Sequence, residues 1–227
     1  MGIFGNVKLG IKGVLRWQGF EVHNVRGQRS IKNLARAKAA EFMKALSEIN
    51  LELGAGPIKG KNNWITIDLC DGADINWDLN VPLPFPDESV SSIYSSHVLE
   101  HFFYSDLIRL LIDCKRVLKP GGSFSACVPD ASIYVRSYMD ADTFDRSFLV
   151  YKPAVISDLK MDVLNYMAYM DGHHRYMFDS ENLLRVLTTA GFTDVRSRDF
   201  DPALDKFDRK YESIYATGTK PGVRIKL

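Results

Sequence analysis

The 227-residue sequence predicts an α/β protein: a mostly parallel sheet with helices on both faces, led by a helical segment. Three observations carry this expectation. Short apolar runs alternate with amphipathic segments from residue 49 to residue 217, the order that builds parallel sheets. The first run ends in the turn Gly54-Ala55-Gly56, where such sheets place ligands. The next two runs end in or lead into an aspartate, Asp68 and Asp78.

The elements follow in order. Residues 30–47 are rich in helix formers, with Ile31, Leu34, Ala35, Phe42 and Leu46 at helical spacing. Strands are expected at 49–53, 64–68, 73–77 and 90–94. An amphipathic helix over Leu107–Leu118 is stopped by Lys119-Pro120-Gly121-Gly122. A fifth strand covers Ser123–Val128 and closes at Pro129-Asp130. Residues 131–172 break the rhythm with a helical insertion rich in Tyr, Phe and Met. Asp179 or Ser180 then caps a helix that reaches Ala190 and ends at Gly191. Two last strands span 192–200 and 211–217.

Composition narrows the function classes. Hydrophobic residues make up 46% and charged residues 25% of the chain, too apolar for wholesale disorder. No run approaches the ~20 apolar residues of a membrane span. Cys70, Cys114 and Cys127 are far apart and form no CxxC pair, so reduced thiols and a cytoplasmic location are expected. The net charge of +1 hides a split: residues 1–38 carry +7 and the rest −6. The early lysines alternate with Ile3, Phe4, Val7, Leu9, Ile11, Val14, Leu15 and Trp17. That pattern suits either a terminal helix packed on the domain or a basic segment in peripheral contact with an anionic membrane. The organisation expected is a basic N-terminal segment, 1–48, and a domain, 49–227, carrying the insertion as a lid.

The glycine turn lacks the third glycine of a dinucleotide-binding GxGxxG, because position 59 is Lys59. Glu52, two residues before Gly54, would repel a pyrophosphate and suits a ligand with a positive end. A carboxylate at Asp68 can accept two hydrogen bonds from a ribose diol, and Asp78 can meet an adenine amino group.

Together with Leu51–Gly56 (LELGAG), the segments Trp64–Leu69 (WITIDL), Pro82–Asp87 (PLPFPD), Ser95–His101 (SSHVLEH) and Val117–Gly122 (VLKPGG) resemble class I S-adenosylmethionine-dependent methyltransferases of the ubiquinone and menaquinone biosynthesis group. His174–Phe192 resembles a later segment of the same family. A weaker likeness points to small bacterial methyltransferases associated with saccharide synthesis. The resemblance implies a Rossmann-like seven-stranded sheet with its last strand antiparallel. It implies S-adenosylmethionine as cofactor. Glu52, Gly54, Ala55 and Gly56 would hold its methionine part, Asp68 with Leu69 the ribose, and Asp78 with Leu79 the adenine. Ser96 and His97 would line the site.

An acceptor hydroxyl gains from a nearby base, and His101, His173, His174 and Asp130 are the candidates, with His173 favoured as a surface or packing residue. His97 and His101, at i and i+4, could share a helix face. His97-Val98-Leu99-Glu100-His101 also resembles a metal-binding segment of some relatives, to which His174 would add a ligand. Glu100-His101 is common in relatives without metal too, and no metal is assigned. The insertion offers Tyr134, Tyr138, Phe144, Phe148, Tyr151, Tyr166 and Tyr169 for stacking on an acceptor, or for a helical core of its own. Met139, Met161, Met167 and Met170 suit a pocket or a homodimer surface. The leading expectation is O-methylation of a small or saccharide-like acceptor, with no nucleic acid as partner. The alternatives are a non-catalytic cofactor-fold subunit and a nucleic-acid methyltransferase, which the +7 segment invites.

Overall fold

A computed structural model of the chain describes residues 25–56, 64–140 and 144–222. The alternating basic and apolar residues before position 25, and the Pro57-Ile58 loop, lie outside these ranges. The first described element, α1 (Val25–Ala45), leads into β1 (Asn50–Leu53), β2 (Ile65–Asp68), β3 (Ile75–Asn76) and β4 (Val90–Ser96). Next come α2 (Tyr104–Val117), β5 (Leu118–Pro129) and the insertion helices α3 (Ala131–Met139) and α4 (Lys160–Tyr169). The chain closes with α5 (Ser180–Thr189), β6 (Thr193–Ser197) and β7 (Ser213–Thr219).

The seven strands form one sheet in the order β3-β2-β1-β4-β5-β7-β6. β1 pairs in parallel with β2 on one side and β4 on the other, whereas β7 runs antiparallel to both β5 and β6. A sheet covered on both faces needs strands without a polar side. Leu51, Leu53, Ile65, Ile67, Ile93, Phe124 and Val128 are all buried. The order reverses at β1 and β4, so the crevice at their carboxyl ends is the expected ligand site.

The helices dock by small or well-spaced residues. α2 buries Leu107, Leu110, Leu111, Cys114 and Val117. Its Arg116 reaches the Leu83 and Phe85 carbonyls, and its Asp113 accepts from the Leu83 amide at 2.6 Å, which anchors the PLPFPD segment. α5 begins with a capping box between Asp179 and Asn182 and is followed by Gly191 at φ +88. Phe192 then turns inward onto Phe124, with ring centroids 5.5 Å apart. Asp205 is buried and accepts from Arg198 at 2.6 and 2.7 Å and from the Tyr94 hydroxyl at 2.9 Å. That cluster ties the loop between β6 and β7 to the sheet.

Several expectations change. The helix ends at Val117, and Lys119-Pro120-Gly121-Gly122 lies inside β5 rather than stopping a helix. The reason is a bulge. The register to β4 shifts between Val90 and Ser92, Gly121 sits at φ +79, and a Cβ on Gly122 would approach two carbonyl oxygens at 2.9 Å. The third strand shrinks from 73–77 to two residues, because Asp74 turns back to bond Thr66. α1 starts earlier than residue 30 and buries Ala35 and Ala39, leaving Ile31 and Leu34 exposed. Small side chains let the helix sit close, and Lys38 Nζ donates to the Asp74 carbonyl at 3.0 Å. The insertion has its own core of Ala131, Tyr134, Leu149, Ala154, Val163, Tyr166 and Met167.

Removing one partner of a buried ion pair strands the other. Asp205→Ala should therefore cost roughly 3–5 kcal/mol, read as a fall in Tm of about 10 °C or more. An unchanged Tm would show that the cluster contributes nothing to stability.

Candidate functional site

The strand ends at the reversal point surround a cavity of about 310 Å³, lined by Gly54, Asp68, Leu69, Trp77, Asp78, Leu79, Asn80, His97, Val98, His101 and Phe102. Six of the ten residues expected to hold a cofactor line this cavity: Gly54, Asp68, Leu69, Asp78, Leu79 and His97. Glu52 and Ala55 are buried beside it in β1 and its turn. Gly56 acts through its amide, which donates to Asp68 Oδ2 at 2.9 Å. Asp68 Oδ1 accepts from the Cys70 amide at 3.0 Å. One carboxylate thus joins the loops after β1 and β2. A carboxylate has about four acceptor positions, so two remain for a ligand diol.

Asp78 does the work of a turn residue as well as lining the cavity. Its Oδ1 accepts from both the amide and the side-chain nitrogen of Asn80 at 2.9 Å. Trp77, Val98 and Phe102 were not singled out from the sequence. Trp77 Nε1 is buried without a hydrogen-bond partner among the described residues. Its position just ahead of Asp78 was the available signal.

Gly54 has a role beyond letting a ligand approach. It sits at φ +65, and a Cβ there would overlap the Val98 side chain. The turns after β1 and β4 therefore pack directly on each other. Gly56 is also left-handed, at φ +71, but a Cβ on it would meet nothing within 4 Å.

Beyond β4 the chain does not continue as one helix. His97 sits at φ +54, and only Leu99–His101 form a short 3₁₀ turn. His97 and His101 therefore do not share a helix face. They flank Glu100 instead, with His97 Nδ1 4.0 Å and His101 Nε2 3.9 Å from Glu100 Oε1. Ser96 is buried and taken by Arg209, which donates to its carbonyl at 2.9 Å and its hydroxyl at 3.1 Å. His97 Nε2 lies 2.8 Å from Ser213 Oγ. The segment 207–213 thus crosses the ends of β4 and β5, a contact of 116 positions in sequence that no local pattern announces.

The candidate bases separate. Asp130 caps α3 by accepting from the Ser132 amide at 2.9 Å and is absent from the cavity lining. His101 and His174 come together, with ring centroids 5.2 Å apart. The Glu100 carbonyl accepts from the Arg175 and Tyr176 amides at 2.8 and 3.1 Å, which fixes that approach. Burial lowers the pKa of His97 and His101 and pulls His174 down to about 4, so the rings are neutral at pH 7. Burial also pushes Glu100 up to about 8.

Gly54→Ala and Gly56→Ala should differ. The first combines a left-handed backbone with a clash and should cost about 2–4 kcal/mol, and the second about 1 kcal/mol. Equal losses in chemical denaturation would contradict the packing described for Val98.

No curated protein matches the chain. Similar solved structures include the 1,6-didemethyltoxoflavin-N1-methyltransferase of Burkholderia thailandensis, solved with bound 1,6-didemethyltoxoflavin and S-adenosylhomocysteine. It is 14% identical, with a TM-score of 0.48 over 87% of this chain and 81% of that one. A S-adenosylmethionine-dependent methyltransferase of Thermotoga maritima is 18% identical, with a TM-score of 0.47 over 86% and 96%. Residues 62–126 match the family model of a methyltransferase domain. That match spans the stretch supplying Asp68, Asp78 and the His97–His101 turn.

Proposed function

We propose that the enzyme methylates a hydroxyl oxygen of a small, saccharide-like acceptor at the His101 edge of the cavity. One observation carries this reading. His101 lines the cavity that holds Asp68 and Gly54, and its Nδ1 is committed to the His173 carbonyl at 3.1 Å. A carbonyl only accepts, so Nδ1 bears the proton and Nε2 presents a lone pair. An already activated sulfonium methyl needs chiefly positioning, and an oxygen nucleophile is the acceptor that gains from a lone pair held nearby.

In this reading Asp68 and Leu69 hold the ribose of the cofactor, and Asp78 and Leu79 the adenine. The turn Gly54-Ala55-Gly56, with Glu52 beneath it, receives the methionine end, and His97 leads to the methyl group. The two open acceptor positions on Asp68 and the bare Gly54 turn support that fit. The cofactor supplies the methyl group as an electrophile. His101 and His174 serve the hydroxyl, while Asp130 orders the start of the insertion. Exposed Tyr138, Tyr151 and Tyr169 on the insertion support stacking on a sugar face. The exposed Met139 and Met161 support a homodimer. No helix among the described residues is long and apolar enough to cross a membrane. The charge of residues 1–38 supports peripheral contact with an anionic surface from the cytoplasm.

Calorimetry should give saturable binding of S-adenosylhomocysteine, weakened by about 1–3 kcal/mol in Asp68→Ala. Unaltered affinity in that variant would remove the ribose assignment. Incubation with labelled methyl donor and a panel of sugars, phenols and amines should place label in an O-methyl ether. Label recovered only on nitrogen or carbon would overturn the oxygen reading.

A further inference from the structure

We propose that Glu100, His101 and His174 bind one divalent transition-metal ion beside the cofactor cavity. Three independent features of the cluster lead there. First, a nitrogen of each ring and an oxygen of Glu100 lie within 4.8 Å of one another. Second, each ring has its other nitrogen occupied: His101 Nδ1 lies 3.1 Å from the His173 carbonyl, and His174 Nδ1 lies 2.7 Å from the Met167 carbonyl. Both rings are thereby set as the Nδ1–H tautomer, with the Nε2 lone pair directed away from the backbone. A backbone carbonyl on the distal nitrogen is how metal-bound imidazoles are held.

Third, the Glu100 residue is 2% exposed, and its Oε2 has no hydrogen-bond partner among the described residues. A buried carboxylate oxygen left alone is costly. The other oxygen, Oε1, lies 3.9 Å from His101 Nε2, which is an acceptor too. The lone pairs of two imidazoles converge on the Glu100 carboxyl group, and a cation that displaces the carboxyl proton ties all three side chains together. Ligand atoms about 2.1 Å from one ion sit roughly 3–4 Å apart, so binding would draw the three together by about 1 Å. His97, held by Ser213, stands behind Glu100 and supports it rather than completing the set.

Two imidazoles and one carboxylate suit Mn²⁺, Fe²⁺, Co²⁺ or Zn²⁺ and leave positions open. Because His101 lines the cofactor cavity, an open position faces the acceptor. The role of the ion rests on the methyltransferase reading, although the site itself does not. With the ion bound, the Nε2 lone pairs of His101 and His174 serve the metal in place of the hydroxyl: the acceptor hydroxyl coordinates the ion and loses its proton to water. Its oxygen then forms a bond to the methyl carbon while the carbon–sulfur bond breaks, the electron pair staying on sulfur. The products are a methyl ether and neutral S-adenosylhomocysteine.

The test uses the full chain, stripped with chelator and titrated calorimetrically with Mn²⁺ and with Co²⁺, the latter also followed by its visible bands. One equivalent should bind, with nitrogen-ligated Co²⁺ absorption, and affinity should fall roughly 100-fold or more in Glu100→Gln and His101→Ala. His101 is half-exposed, so its variant keeps the experiment readable if a change at buried His174 prevents folding. Absence of stoichiometric uptake, or uptake indifferent to both variants, would overturn the site. The same stripped protein is titrated with S-adenosylhomocysteine. Cofactor binding without metal uptake would sink the metal site alone, and metal uptake without cofactor binding would sink the methyltransferase reading alone.

Discussion

The candidate site depends on a missing side chain. Because Gly54 carries no Cβ, Val98 packs directly on the turn after β1. That contact sets the distance between the two halves of the crevice. On one side it places Asp68, whose carboxylate joins the β1 and β2 loops through the Gly56 and Cys70 amides. On the other it places His97, Glu100 and His101 in the turn after β4. A side chain at position 54 would push Asp68 and Asp78 away from His97 and His101.

Around this contact, several long-range interactions hold the β4 end in place. Arg209 and Ser213 reach Ser96 and His97 from the far end of the chain. Asp205 and Arg198 pin the same loop to Tyr94 in β4. The Glu100 carbonyl is bracketed by the Arg175 and Tyr176 amides. Together they keep His97, His174 and the Glu100 carboxyl group largely out of water, where charge interactions strengthen and unpaired groups are expensive. The helical insertion keeps its own core around Tyr134 and Tyr166 outside the sheet and meets His174 through the Met167 carbonyl.

Much of this was legible in the sequence because it is local. Apolar runs such as Leu51–Leu53 and Ile65–Ile67 announce buried parallel strands. A glycine turn followed by Asp68 and Asp78 announces a ligand at strand ends, and six of the expected residues line one cavity. The helix from Ser180 was readable from its Asp179 cap and Gly191 stop. What escaped has a common cause. The bulge at Gly121-Gly122 depends on packing against Ser91, and proline and glycine look the same in a bulge as in a helix stop. Ser96 turns to Arg209 and Asp130 caps α3 because of partners that spacing cannot reveal. Likewise, the i and i+4 spacing of His97 and His101 suggested a helix that the left-handed His97 prevents.

The central claim is that the Gly54–Val98 crevice holds the cofactor with its ribose on Asp68. Crystals grown with S-adenosylhomocysteine test it most directly. The account requires ligand density between Gly54 and Asp78, with both ribose hydroxyls within hydrogen-bond distance of the Asp68 carboxylate and the sulfur directed toward His97 and His101. Ligand bound elsewhere, or an Asp68 still holding only the Gly56 and Cys70 amides, would contradict it.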